Sequence, residues 1–355
     1  MGNKLEKVRE ILEKYGLDAV LVSCPYNLCY VSGFSGGEGY LYISTKQAVL
    51  LTDFRYTIQA EEEASDFVVK EISRSYPEEI LELTDQEKIG KMGFEGGHLI
   101  YQDYAKIEQT LSDVHLFDVG DLITRLRSVK EDWEIERIAR AEAVGDQAFD
   151  DILGFLKPGL TELQVAARLE YTMKQLGAEK LSFDTIVASG IHSSMPHASP
   201  TEKILEPGDF VTMDFGCVYQ GYCSDMTRTV VMGKAGEEQK KLYYTVLQAQ
   251  QEALDFICAG YTGKEIDQVA RNVIESAGYK GMFGHGLGHS VGLFIHENPR
   301  FSPSENSVIQ TNQVITVEPG IYQKGFGGVR IEDLVVVKEN GCVNLTKSEK
   351  KLIEI

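Results

Sequence analysis

The second part of the chain is written twice. Lys157-Pro158-Gly159-Leu160-Thr161 opens a helical stretch that runs to Gly177, and Cys258-Ala259-Gly260-Tyr261-Thr262 opens another that runs to Gly278. Gly159, Thr161 and Gly177 thus map onto Gly260, Thr262 and Gly278 at a constant offset of 101 residues. Self-similarity at a fixed offset points to a duplicated structural unit. Each opening also has the form of a capping box, Thr161 with Gln164 and Thr262 with Glu265, in which the hydroxyl and the side chain three residues on satisfy each other's backbone amides. A second long helical stretch precedes each one, over residues 131–156 and 237–257. The repeat continues into strands, since Val211-Thr212-Met213-Asp214-Phe215-Gly216 resembles Ile315-Thr316-Val317-Glu318-Pro319-Gly320. Two copies of a helix-helix-sheet unit, an α+β arrangement with an internal pseudo-twofold, are therefore expected.

The beginning of the chain reads differently. Residues 4–15 set Leu5, Val8, Ile11 and Leu12 at helical spacing, with Gly16 as a stop. Ala19-Val20-Leu21-Val22, Tyr40-Leu41-Tyr42-Ile43, Ala48-Val49-Leu50-Leu51 and Phe67-Val68-Val69 are short apolar runs bounded by Gly, Ser and Asp, which read as strands. An α/β domain over residues 1–127 and a second domain over residues 128–355 are expected, in keeping with roughly 150 residues per domain.

Composition narrows the partners. With 35 Lys+Arg against 54 Asp+Glu the net charge is −19, which argues against a nucleic-acid or anionic-membrane surface, because phosphate binding needs a basic patch. No apolar run approaches the length of about 18 residues that a membrane helix requires. The start, Met-Gly-Asn-Lys-Leu-Glu, has no apolar core of a signal peptide and no Ser or Thr where myristoylation wants one, so a cytoplasmic protein is expected. Six scattered cysteines without a C-x-x-C pair read as buried, reduced thiols.

If the two copies pack about a pseudo-twofold axis, Asp214 opposes Glu318. Each has a companion further on, Asp225 after 11 residues and Glu332 after 14, intervals that suit a strand, a glycine-rich turn and a returning strand. Four carboxylates then converge on one cleft, where like charges at short range cost several kcal/mol. Cations must offset them. Four of the seven histidines lie nearby in sequence: His197 in Met195-Pro196-His197, and His285, His289 and His296 in GHGLGHSVGLFIHENPR. An oxygen-rich site with a single imidazole suits Mn²⁺, Co²⁺ or Zn²⁺. Two such ions, bridged about 3.5–4 Å apart, would activate a water for hydrolysis. His285 reads as a supporting imidazole rather than a further ligand, and His98, His115 and His192 receive no role. Acidic runs such as Glu61-Glu62-Glu63 read as solvated surface.

These motifs carry a resemblance that covers nearly the whole chain. Asn27, Tyr30, Gly33-Phe34, Thr52-Asp53 and Arg55-Tyr56, then FDTIVASGIHSSMPHASPT, MDFGCVYQGYCSDMTRT, HGLGHSVGLFIHE, VEPGIY and GVRIED, are together similar to the pita-bread metallopeptidases, in the Xaa-Pro branch that contains prolidase and aminopeptidase P. The resemblance implies a creatinase/prolidase-like N-terminal domain and a pita-bread catalytic domain. It implies that Asp214 binds one metal, that Asp225 and Glu332 bridge two, and that His289 and Glu318 complete the other site. Glu318 is also the implied proton shuttle, while His197, His296 and Arg330 hold substrate and stabilise the tetrahedral intermediate. An Xaa-Pro bond is a tertiary amide without an N–H, so the leaving proline nitrogen must be protonated. Manganese is the metal expected first, with cobalt or zinc as alternatives, and the family implies a homodimer whose smaller domain helps to wall the partner's cleft.

Arg300, in His296-Glu297-Asn298-Pro299-Arg300, matches a position suggested in prolidases to receive a dipeptide's free carboxylate, a task that suits a guanidinium fork. The favoured expectation is hence a dipeptidase, with an aminopeptidase P acting on longer peptides as the alternative. A non-catalytic relative, as creatinase-like folds without the metal set show, is disfavoured because all five ligand positions hold competent residues. Methionine aminopeptidases share those ligand types, but usually lack the preceding domain and the arginine found here at Arg330.

Overall fold

Helical and strand-like runs alternate through the first unit, which ends at Arg127 in the computed structural model; the second spans Ser128–Ile355. The structure describes residues 2–355, with side chains from residue 4 on. Helix α1 (Gly2–Tyr15) turns Leu5, Val8 and Leu12 inward and stops at Gly16, whose φ of +61° only glycine adopts easily. There follow β1 (Ala19–Val22), α2 (Pro25–Ser32), β2 (Tyr40–Ser44), β3 (Ala48–Thr52), α3 (Thr57–Glu63) and β4 (Val68–Glu71). Then α4 (Tyr76–Glu87), β5 (Lys91–Phe94), α5 (Tyr101–Thr110), β6 (His115–Asp118) and α6 (Leu122–Leu126) complete the unit. The sheet order is β4-β3-β2-β1-β5-β6, antiparallel where β2 meets its neighbours and parallel elsewhere. Ala19, Leu21, Tyr42, Val49 and Leu51 form its core with Ile80, Leu83 and Ile107 of α4 and α5. Phe67 stands outside β4, because its amide closes a turn onto Ala64 instead of joining the ladder.

The second unit shows the duplication in three dimensions. Its first copy runs α7 (Asp132–Phe155), α8 (Glu162–Gln175), β7 (Lys180–Leu181), β8 (Ile186–Ser189), a 3₁₀ turn (Gly190–Ser194), β9 (Phe210–Phe215), β10 (Cys217–Tyr219), β11 (Tyr222–Cys223) and β12 (Met226–Val231). The second runs α9 (Glu237–Phe256), α10 (Gly263–Ser276), β13 (Gly288–Ser290), β14 (Glu297–Phe301), β15 (Val314–Val317), β16 (Gly320–Gln323), β17 (Gly327–Arg330), β18 (Asp333–Lys338) and β19 (Gly341–Asn344). In one copy β9 lies between β8 and β12, with Ser189 facing Val211; in the other β15 lies between β13 and β18, with Ser290 facing Ile315. Each central strand leaves through a small hairpin before its partner strand returns.

Both capping boxes form. The Gln164 amide donates to the Thr161 hydroxyl oxygen at 3.2 Å and the Glu265 amide to that of Thr262 at 3.2 Å, while the carbonyl of Gln164 and the carboxylate of Glu265 accept from the Thr161 and Thr262 amides. Each pair of helices closes its own apolar core: Val144, Ala148, Val165 and Leu169 against Val187, Val211 and Met213, and Val246, Ala249, Ile266 and Ala270 against Ile315, Val317 and Val335. The copies join where the Glu332 amide donates to the Thr227 carbonyl at 3.1 Å. Beside it the buried Arg228 pairs with Asp333 at 2.8 Å, and Asp333 with Lys350 at 2.6 Å.

Two expectations need correction. Asp214 lies inside β9, but Glu318 lies one residue beyond β15, because Pro319 has no N–H with which to continue the ladder and the Glu318 amide donates instead to the Leu287 carbonyl at 2.8 Å. All six cysteines are free, yet only Cys24, Cys217 and Cys223 are buried; Cys29, Cys258 and Cys342 are half-buried. Among the described residues no helix is long and apolar enough to cross a membrane.

Candidate active site

Strand ends bring the expected residues to one place. Asp214 sits on β9, Asp225 just ahead of β12, His289 on β13, Glu318 just past β15, and Glu332 between β17 and β18. His197 lies in the loop after the 3₁₀ turn, His296 immediately before β14, Arg300 within it, and Arg330 at the end of β17. All nine line a single cleft of about 570 Å³, together with Phe183, Ile186, Pro196 and His285. Close backbone approach is part of the design: a Cβ at Gly288 would collide with the Thr316 carbonyl, so β13 reaches its place beside β15 only with glycine there.

At the floor, ligand atoms of Asp225, His289 and Glu332 all lie within 4.8 Å of one another. The Nε2 atom of His289 is 3.4 Å from Asp225 Oδ2 and 3.7 Å from Glu318 Oε1. Its Nδ1 faces the Ser290 carbonyl at 3.2 Å. A carbonyl only accepts, so Nδ1 carries the proton and Nε2 presents its lone pair to the carboxylates, the tautomer a metal ligand needs. Hydroxyls orient the acids: Thr227 donates to Glu332 Oε2 at 2.6 Å, and Thr316 to Glu318 Oε1 at 3.2 Å while accepting from the His289 amide at 3.0 Å. Behind the floor, the Asp225 amide donates to the fully buried Glu142 at 3.3 Å.

Arg330 is hydrogen-bonded among these acids. Its Nη2 donates to Asp214 Oδ2 at 2.6 Å, its Nε to Thr227 at 3.1 Å, and its Nη1 to the Tyr322 hydroxyl at 2.8 Å and the Pro196 carbonyl at 3.3 Å. The Tyr322 hydroxyl in turn lies 2.9 Å from His285 Nε2, whose other nitrogen faces the Gly286 carbonyl at 2.8 Å. Burial first, and Arg330 second, push the His285 pKa down to about 4, so the ring is neutral, donates to Gly286 and accepts from Tyr322. His285 is thus a support for Tyr322 and Arg330.

The electrostatics describe a site short of positive charge. Burial, followed by repulsion from neighbouring acids, pushes Asp225 and Glu332 well above the usual carboxylate range. Burial also takes Glu318 to about 8, with Asp214 adding to the rise and Arg330 opposing it. His289 is held down at about 3 by burial and by His296. Asp214 Oδ1 is buried with no hydrogen-bond partner among the described residues. Clustered acids, an imidazole with its lone pair aimed among them and an orphaned carboxylate oxygen fit divalent cations, whose charge reverses the local preference for protonation. Thr227, Thr316, Tyr322 and Glu142 carried no sequence expectation. Thr227 and Tyr322 do fall within the quoted SDMTRT and VEPGIY segments, but only the three-dimensional pairing gives them work.

Comparison with known proteins gives the family and the fold. Residues 136–339 match the model of metallopeptidase family M24, and residues 4–129 that of the creatinase/prolidase N-terminal domain. An Xaa-Pro dipeptidase of Pyrococcus furiosus is 40% identical over 354 residues, covering 99% of this chain and 100% of that protein. The structure of an Xaa-Pro dipeptidase from Bacillus anthracis superposes with a TM-score of 0.97 at 39% identity, covering 99% of both chains. That of an X-Pro aminopeptidase from Thermotoga maritima does so at 0.91 and 38% identity, covering 99% of this chain and 100% of the other. The chain belongs to metallopeptidase family M24, as a peptidase with a creatinase/prolidase N-terminal domain ahead of the pita-bread catalytic domain.

Proposed function

We propose that this peptidase is a dimetal Xaa-Pro dipeptidase. The observation that carries the reading is the convergence of Asp225, His289 and Glu332 within 4.8 Å, with Glu318 beside them. Asp214, Asp225, His289, Glu318 and Glu332 would hold two divalent ions, which would supply an activated water and polarise the scissile carbonyl. An oxygen-rich donor set with one imidazole favours manganese, cobalt or zinc, with manganese proposed first. The homodimer is proposed on the family resemblance alone.

The remaining steps belong to side chains. Glu318, oriented by Thr316, takes the proton of the attacking water and passes it to the proline nitrogen, which cannot depart from a tertiary amide unprotonated. His197 and His296 face the cleft from opposite copies and donate to the tetrahedral oxygen and the substrate. Arg330, fixed by four hydrogen bonds from its three nitrogens, keeps Asp214 oriented while presenting positive charge to the cleft. The apolar wall of Phe183 and Ile186 suits a pyrrolidine ring. Arg300, exposed on the wall beside Ser302 and Ser304, suits the free carboxylate of a dipeptide.

Turnover of Ala-Pro against Ala-Pro-Pro and longer peptides in Mn²⁺ buffer tests the reading. Faster cleavage of Ala-Pro is expected. Equal or better cleavage of the longer peptides would assign the chain to the aminopeptidases, as the Thermotoga relative is named. No turnover with any divalent ion would remove the catalytic assignment.

A further inference from the structure

The loop that carries His197 is closed by a carboxylate from outside the cleft. Glu162 is the first residue of α8 and its side chain is fully buried. Oε1 accepts from the Ser189 amide at 2.7 Å and from its hydroxyl at 2.9 Å; Oε2 accepts from the Thr201 amide at 3.0 Å and its hydroxyl at 2.7 Å. The Nδ1 atom of His192 donates to both oxygens at 2.9 Å. Ser189 ends β8 and Thr201 ends the loop, so one carboxylate ties both ends and the middle of residues 189–201. Two amides at the start of α8 add to the hold, Glu162 donating to the Lys203 carbonyl and Leu163 to that of Thr201, each at 3.1 Å.

Opposite Glu162 the loop meets the catalytic groups. The Ser193 hydroxyl accepts from the Gly328 amide at 2.8 Å, and the Pro196 carbonyl accepts from Arg330 at 3.3 Å. His197 follows directly and lines the cleft. Burial works against the charge on Glu162, but bonds from Thr201, His192 and Ser189 prevail and hold its carboxyl below the ordinary range, so it is an acceptor throughout.

The second copy shows what the frame alone demands. Gly263 stands at the first position of α10, and the chain beyond β14 sends Glu305 back into the space beside it, where a Cβ on Gly263 would lie 2.6 Å from Glu305 Cγ. Glu305 accepts from the amides of Ser307 at 2.9 Å and Arg300 at 3.4 Å. A carboxylate is thus present at both helix starts, but only in the first copy does it come from the helix and reach across to close a long loop.

We propose that Glu162 is a positioning residue for His197, setting where the imidazole stands by closing residues 189–201. The proposal deepens the Xaa-Pro peptidase reading and rests on it for the role of His197. Its test uses the full-length, manganese-loaded protein and compares E162A with T201V, which removes one hydroxyl but leaves Glu162 in place, and with H197A.

Hydrogen exchange without substrate should show faster exchange confined to residues 190–200 in both E162A and T201V, with metal content unchanged. On Ala-Pro, kcat/KM should fall by about a hundredfold for E162A, the scale expected of a displaced catalytic group, and by a smaller factor for T201V. In the H197A background, E162A should cost no more than about twofold further, since coupled residues are not additive. Equal losses with and without His197, unchanged exchange, or exchange raised throughout the domain would each overturn the proposal. If E162A does not fold, T201V decides by the same readings. If the parent protein cleaves no Xaa-Pro peptide, the functional reading fails, while the exchange pattern still decides whether Glu162 holds the loop.

Discussion

The two copies of the catalytic unit share a frame and differ at the few positions where chemistry is placed. Strand registers align Val211, Thr212, Met213 and Asp214 with Ile315, Thr316, Val317 and Glu318, and they set Ala188 where the second copy has His289. The first copy brings two aspartates and no imidazole at this level; the second brings two glutamates and His289. The hairpins diverge as well. Val218, Tyr222 and Cys223 of β10 and β11 join a buried apolar cluster, whereas β16 and β17 carry Tyr322 and Arg330 into the site. A symmetric frame delivers four carboxylates to one cleft, and the asymmetry adds the imidazole from the second copy alone.

Breaking the shared centre has the largest expected effect. Asp225→Asn should reduce bound metal from two ions towards none and take Ala-Pro hydrolysis to background, because a bridging charge serves both positions; metal analysis by mass spectrometry and a turnover assay check this. Removing the asymmetric element should do less. His289→Ala should leave one ion bound, since the oxygen-only position keeps its ligands, and the same metal analysis distinguishes one ion from none.

Stability changes come next. The loop ahead of β14, which holds His296, is pinned by a buried ion pair of Lys130 with Glu297 at 3.0 Å. Lys130→Ala should lower unfolding free energy by about 1.5–3 kcal/mol, the scale of one hydrogen bond to a buried charged group, as urea unfolding would show. The smallest expected effect tests the symmetry itself. Thr161→Ala and Thr262→Ala should each cost about 1 kcal/mol, Thr262→Ala somewhat the more, because both hydroxyls accept from the amide three residues on at 3.2 Å but only that of Thr262 also donates to its partner's side chain, the Glu265 carboxylate, at 2.8 Å.

Much of this was legible in the residues. The offset of 101, the two capping boxes and the strand pairs around Asp214 and Glu318 depend on local pattern, and local pattern survives folding. Strands β5 and β6 were not legible: Lys91-Met92-Gly93-Phe94 and His115-Leu116-Phe117-Asp118 mix polar and apolar residues without a clean alternation, and their place is decided by pairing with β1 and with each other. Glu318 looked like a strand residue because its neighbours matched Asp214's, yet Pro319 ends the ladder before it. Glu162 and Tyr322 were invisible as working groups for another reason. Their partners lie far along the chain, Thr201 from Glu162 and His285 from Tyr322, so no local window contains the interaction.

The central claim is that two metal ions share Asp225 and Glu332, one on the Asp214 side and one on the His289 side. Anomalous diffraction at a manganese-sensitive wavelength, from crystals of the manganese-loaded protein, tests it most directly. The account predicts two peaks, both within bonding distance of Asp225 and Glu332, with Asp214 touching one and His289 the other. A single peak, or two peaks that do not share those carboxylates, would contradict it.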